Sequence, residues 1–229
     1  MKLVIALVGK PCSGKGTVAL LLAHFFNDTH ISAEHHRFSD PLNAILRHLA
    51  LPRTRENLQK LPVALVQAFG PDVVTNALAY CIEHSNARVI ILDGVRWDTD
   101  IAMVKRFPKH YVIAVDAPIA VRFARAQKRN RAGEAETTWD AFVALDEAPT
   151  ESAIPRLRTI ADACINNDAD DAVYETEYLT LRKKLFPIFS NTLIPLLFST
   201  PASSPTPQET PAQGETPCST PPDSACSGG

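Results

Sequence analysis

The residues with the most chemistry in them lie near the start of the chain, in Gly9-Lys10-Pro11-Cys12-Ser13-Gly14-Lys15-Gly16-Thr17. Gly9 and Gly14 bracket four residues, and a lysine follows at once. This spacing turns successive backbone N–H groups inward, where they surround phosphate oxygens. Glycine is needed because a Cβ would block the close approach of backbone to ligand. Lys15 adds a full charge, and a helix beginning near Gly14 adds the positive end of its dipole. The hydroxyl that meets a phosphate-bound cation comes at Thr17, one position later than usual, because Gly16 follows the lysine. The loop residues Gly9, Cys12, Ser13, Gly14, Lys15, Gly16 and Thr17 form the candidate nucleotide-phosphate site.

Two further groups fit that chemistry. Asp93 directly follows the apolar run Val89-Ile90-Ile91-Leu92. A carboxylate at the carboxyl end of a buried strand, beside a phosphate loop, is placed to hold magnesium or its water shell together with Thr17. The other role open to it is capping the turn at Gly94. Arg122, Arg125, Arg129 and Arg131 recur within ten residues, with Lys128 among them. Residues 122, 125 and 129 share one face of a helix. Such a stripe stabilises the negative charge that phosphoryl transfer spreads over equatorial oxygens. A solvated helix face or an RNA-contacting patch would carry the same stripe, although one aromatic residue, Phe123, is fewer than RNA contact would favour.

These groups need a scaffold. Residues 2–8, continuously apolar from Leu3 on, read as a strand buried on both faces. A leader-peptide core would look similar, but this run leads straight into the glycine-rich loop rather than a small-residue cleavage site. Further strands are expected at 31–38, 88–92, 110–115 and 163–165. Helical patterns follow the loop and occupy 54–68, 71–84, 98–106, 118–129, 138–147, 151–160 and about 170–184. Asp40-Pro41 marks another helix start, with Asp at the N-cap and Pro in the first turn. Strands alternating with helices predict an α/β domain in three layers, with about five parallel strands and helices on both faces. The domain is expected over residues 1–184. The apolar segment 185–198 is expected to pack on the domain surface, or to contact a membrane or partner. Residues 199–229, rich in Pro, Ser and Thr, cannot build a core and are expected to be a disordered tail.

Composition removes several classes. The chain has 229 residues and a formal net charge of -2. All 23 Lys and Arg, and every one of the 25 acids except Glu209, Glu215 and Asp223, fall within residues 1–184. The expected domain is therefore near neutral, which argues against nucleic acid as partner. No apolar run is long enough for a simple membrane span. The five cysteines are scattered and odd in number, which argues against a disulfide framework, and the histidines lack ligand spacing. A cytoplasmic protein is expected.

The string Gly14-Lys15-Gly16-Thr17, with Pro11 and Ser13 before it, resembles the loop of adenylate kinase and other nucleoside monophosphate kinases. Cys12 departs from that pattern, which usually has Gly there. Asp93-Gly94-Val95-Arg96 resembles an Asp-Gly element of the same group, in which the arginine grips the acceptor phosphate; Arg96 takes that role by resemblance. Phe38-Ser39-Asp40-Pro41-Leu42 is similar to an element of phage-type deoxynucleoside monophosphate kinases, which implies that Asp40 orients the acceptor or a magnesium-bound water. By the same resemblance Arg55 and Gln59, near Arg53, face the acceptor. Arg122, Arg125 and Arg129 resemble the arginines of a closing lid over about 122–137, with polar residues 130–137 and Gly133 as its flexible part. Ala161-Asp162-Ala163-Cys164-Ile165-Asn166-Asn167 resembles the last-strand segment of dephospho-CoA kinase, which puts Asn167 near the adenine of ATP. The resemblance implies ATP and Mg²⁺ as cofactors and a small phosphate acceptor as partner. It leaves a hydroxyl acceptor open, with Asp40 as base, and also a nucleotide-binding regulator without transfer.

Overall fold

The computed structural model describes residues 1–129, 138–168 and 174–199. Its centre is β1 (Leu3–Val8), whose six apolar residues are all fully buried. Side chains alternate across a strand, so Leu3, Ile5 and Leu7 enter one core while Val4, Ala6 and Val8 enter another. This is why the run is apolar without alternation.

Along the chain follow α1 (Lys15–Asp28), β2 (Ala33–Arg37), α2 (Asp40–His48), α3 (Arg55–Phe69) and α4 (Val73–His84). Then come β3 (Val89–Val95), α5 (Asp98–Lys105), β4 (Lys109–Asp116), α6 (Ile119–Arg129) and α7 (Trp139–Asp146). A short 3₁₀ turn at Pro149–Glu151 leads to α8 (Ile154–Thr159), β5 (Ala163–Asn166), α9 (Tyr174–Ile188) and α10 (Ile194–Phe198). The sheet order is β2-β3-β1-β4-β5, and every pairing is parallel. The five-stranded, three-layer α/β expectation holds. Helices α1, α9 and α10 cover the Leu3 face, and α4, α5 and α8 cover the Val4 face.

Two boundaries differ from the sequence reading. Ser39, not Asp40, precedes the first turn of α2. The Asp40 carboxylate reaches back and accepts from the Arg37 backbone N at 2.7 Å, so it braces the end of β2 rather than capping forward. The domain also runs past residue 184. Helix α9 continues to Ile188, passes through a wide turn at Phe189–Leu193 and ends in α10. Leu185, Phe189, Leu193 and Leu197 lie in the core against Phe25 and Phe26 of α1. Their burial contributes roughly 1.5–3 kcal/mol per side chain, which makes 185–198 part of the domain. Lys109, itself buried, donates from Nζ to the Leu197 carbonyl at 2.6 Å and closes the end of α10. The expected tail, apart from Ser199, lies outside the described residues. Among the described residues no single helix is long and apolar enough to cross a membrane.

Candidate active site

Central strand β1 ends at Val8, and the chain folds back over the carboxyl end of the sheet. A Cβ on Gly9 would stand 2.2 Å from the Val115 carbonyl of β4, so only glycine lets the loop leave the sheet here. Gly14 has φ 100°, and a Cβ on it would lie 2.2 Å from Asn167 Nδ2. Asn167 is 2% exposed, donates to the Ser13 carbonyl at 3.0 Å and anchors itself on Asp116 through its own N–H at 2.7 Å. The structure therefore places Asn167 against the loop, at the end of β5. Cys12 sits at φ 62°, left-handed backbone that glycine adopts far more readily. Around Gly16 there is open space.

Lys15 begins α1, and its Nζ donates to the Gly9 and Lys10 carbonyls at 2.6 and 2.9 Å. Burial lowers its pKa; Asp93 and Glu151 oppose that shift, and Arg96 adds to it. Asp93 stands opposite Leu7, but Val8 stands opposite Val95, so Gly94 is the extra residue of a bulge at φ 95°. One Asp93 oxygen, Oδ1, is buried and has no hydrogen-bond partner among the described residues; the Ser13 hydroxyl is in the same condition. Unsatisfied buried acceptors are costly and rare in folded proteins. Thr17 lies in the first turn of α1. A hydroxyl and a carboxylate with a spare oxygen are donors of the kind that fit a magnesium ion. Among the described residues no group of three or more His, Cys, Asp or Glu forms a metal cage.

A segment the sequence did not single out completes the site. Phe123 of α6 packs edge-on against Trp139 and Phe142 of α7 with ring centroids 5.3 and 5.5 Å apart, which brings the two helices together. At the end of α7, Asp146 forms an ion pair with Lys10 at 2.8 Å and a bidentate one with Arg122, whose Nη2 lies 3.0 Å from Oδ2. Burial on its own would raise the Asp146 pKa, but hydrogen bonds from Arg122 and Lys10 outweigh it and hold the carboxyl below its ordinary value. Arg122 also donates to the Ala117 carbonyl, and it is 5% exposed. The structure thus gives this expected lid arginine a buried structural partner at the base of the loop.

Five residues on, Glu151 pairs with Arg96, with Nη1 3.2 Å from Oε1. Glu151 is 4% exposed, and burial raises its pKa against the pull of Arg96 and Lys15. Its Oε2 is buried with no hydrogen-bond partner among the described residues. Arg96 is held in place by its backbone, since Asp100 accepts from the Arg96 and Trp97 N–H groups at 2.8 and 3.0 Å.

The sequence-predicted residues therefore divide. Lys15, Asp93, Arg96 and the loop residues converge, with Cys12 in electrostatic reach of Lys15. Asp40 lies further out and lines a cleft of about 360 Å³ with His36, Asn43 and Arg47. Asp40 and Asp93 both act on His35, whose pKa is lowered by burial and whose charged form both acids favour. Gln59 is exposed on α3, and Arg125 is half-buried on α6. The side chains of Arg55 and Arg129, and residues 130–137, lie outside the described residues. Asp146, Glu151 and Lys10 are the additions. The two acids have only their spacing, five apart and beyond a basic helix, as a signal, and Lys10 only its place in the loop.

No family model matches the chain. Solved structures similar to it include a shikimate kinase of Bacteroides thetaiotaomicron, with TM-score 0.54 and 12% identity over 82% of this chain and 98% of that one. Another is the TT1252 protein of Thermus thermophilus, with TM-score 0.50 and 18% identity over 83% and 98%. The fold is that of the P-loop kinases. By sequence, the chain is similar to a UPF0200 protein of Hyperthermus butylicus, 26% identical over 184 residues that cover 80% of this chain and 95% of the relative. A UPF0200 protein of Staphylothermus marinus is 27% identical over 185 residues, covering 80% and 94%.

Proposed function

We propose that this protein transfers the γ-phosphoryl group of ATP to a small nucleotide-like acceptor. The observation that carries the reading is the convergence of Lys15, its loop carbonyls and the unsatisfied oxygen of Asp93 at one end of the sheet. The loop amides and Lys15 hold the donor phosphates. Thr17 and Asp93 would hold magnesium, which would supply positive charge against the charge that develops in transfer. By the resemblance, Asn167, buried against the loop, lies near the adenine. Arg96 faces the acceptor, with Asp40, Arg55 and Gln59 lining its approach, and Arg125 and Arg129 supply the closing charge. The resemblance to nucleoside monophosphate kinases favours an acceptor phosphate. The carboxylate of Glu151 beside Arg96 favours the second reading, an acceptor hydroxyl as in dephospho-CoA kinase. A cytoplasmic setting goes with either.

The test is ADP formation from ATP and Mg²⁺ against ribo- and deoxynucleoside monophosphates and dephospho-CoA, with Lys15→Ala as control. Acceptor-stimulated turnover that Lys15→Ala abolishes is expected. Binding of ATP without stimulation by any acceptor would replace the reading with that of a nucleotide-binding regulator.

A further inference from the structure

Glu151 stands beside Arg96 but has no role of its own in the transfer assigned so far. Its burial is costly, and a single ion pair to a half-exposed arginine does not offset that cost well. One oxygen is engaged by Arg96, and the other is buried and idle. Lys15 and Arg96 act on it electrostatically, as do Lys10 and Asp146 from the loop and from α7. It is thus a carboxylate built into the cation cluster where donor and acceptor must meet.

Three chemistries are open to such a group. As a metal ligand it would have to share a divalent cation with the guanidinium 3.2 Å from its Oε1, which Coulomb repulsion opposes. Asp93, with a buried oxygen that has no partner among the described residues, is the better ligand. As a neighbour of an acceptor phosphate it would face a dianion, and its pairing already neutralises the arginine meant to grip that dianion. As a proton acceptor for a neutral hydroxyl it meets neither objection.

We infer that Glu151 is the catalytic base of this site, and that the acceptor group is therefore a hydroxyl rather than a phosphate. The inference rests on the phosphoryl-transfer reading above. In the step, the acceptor oxygen forms a bond to the γ-phosphorus while the bond from that phosphorus to the β,γ-bridging oxygen breaks. The electron pair of that bond leaves with ADP. The hydroxyl proton passes to Glu151 Oε2 and then to solvent. Arg96 holds the other carboxylate oxygen and so fixes which one faces the acceptor. Burial sets the basicity: a carboxyl with a raised pKa takes a proton better near neutral pH than an ordinary one.

The experiment compares the wild-type protein with Glu151→Gln and Lys15→Ala, using ATP·Mg²⁺ with dephospho-CoA, thymidine, AMP and dTMP, and with water alone as the minimal hydroxyl acceptor. Nucleotide affinity is read with a fluorescent ADP analogue, and product linkage by phosphorus NMR. Glu151→Gln is expected to lower kcat by about 100-fold or more with nucleotide affinity unchanged. It should also abolish the rise of kcat with pH that deprotonation of Glu151 gives the wild type, and the wild-type product should be a phosphate ester. Lys15-dependent turnover that survives in Glu151→Gln, or a phosphoanhydride product, overturns the inference and leaves the phosphoryl-transfer reading standing. ADP formation that is absent, or independent of Lys15, overturns both. If Glu151→Gln does not fold, Glu151→Asp keeps the charge but withdraws it by one methylene; unchanged kcat in that variant overturns the inference, and a fall in kcat at unchanged nucleotide affinity supports it.

Discussion

Asp146 and Glu151 are five residues apart on the segment that covers the phosphate loop, both are buried, and burial pushes their pKa values in the same direction. They end on opposite sides of the ordinary range. Asp146 receives two cations at hydrogen-bond distance, Lys10 and Arg122, and is held ionised. Glu151 receives one, the half-exposed Arg96, and keeps an oxygen without a partner among the described residues. A saturated carboxylate ties α6 and α7 to the loop, whereas an under-saturated one stores unspent basicity. The two carboxyl groups are told apart by how completely their partners satisfy the charge, not by burial.

The largest effect should come from breaking the saturated member. Asp146→Asn leaves Arg122 buried without its counter-charge, and a loss of about 3–5 kcal/mol in stability is expected by urea denaturation. Glu151→Gln removes a poorly compensated charge from the same segment, so its stability should stay within about 1 kcal/mol of wild type. Equal losses in the two variants would break the comparison.

The pH dependence separates the two acids by sign. The Asp146 pKa is lowered in the folded protein, so its contribution is complete above the unfolded value of about 3.9 and is lost as pH falls through the folded one. The Glu151 pKa is raised, so the folded state binds the extra proton, and stability falls as pH rises from the unfolded value of about 4.3 through the folded one. In stability measured across acid to neutral pH, Glu151→Gln should lack that downward component, and Asp146→Asn should lack the acid-side loss. A Glu151→Gln curve parallel to wild type would place that carboxyl in an ordinary environment.

The sequence disclosed what is encoded within one loop or one strand. The apolar run of residues 3–8 announces a strand buried on both faces, and the Gly9–Lys15 spacing announces a phosphate cradle. Asp93 is legible because it ends another such run. Asp146 and Glu151 were not legible, because their partners Lys10, Arg122 and Arg96 lie 136, 24 and 55 positions away and meet them only through tertiary packing. Arg122 misled for the same reason: on a helix wheel it belongs with Arg125 and Arg129, but the Phe123–Phe142 contact turns α7 and its acid onto it. Segment 185–198 misled because a wide turn between two short helical pieces has no simple period. The glycines test how local the loop's logic is. Gly9→Ala should cost about 1–3 kcal/mol or more and abolish nucleotide binding, since its Cβ would strike the Val115 carbonyl. Gly16→Ala meets nothing within 4 Å in the first turn of α1, and should gain up to about 1 kcal/mol.

Cys12 gives the smallest and most local contrast. A side chain held at φ 62° costs about 1–2 kcal/mol relative to ordinary backbone. Glycine relieves that strain but gives back about 0.5–1 kcal/mol through the greater freedom of the unfolded chain. Cys12→Gly should therefore raise stability by about 0.5 kcal/mol, read as a small upward shift of the urea midpoint at unchanged slope. The thiol also lies in electrostatic reach of Lys15, where its thiolate form raises the lysine pKa. If strain were all that the cysteine contributes, Cys12→Gly would leave turnover as stable toward oxidants as toward denaturant. A variant that instead gains resistance to peroxide while the wild type loses ADP formation would show that the strained position holds a reactive thiol beside Lys15.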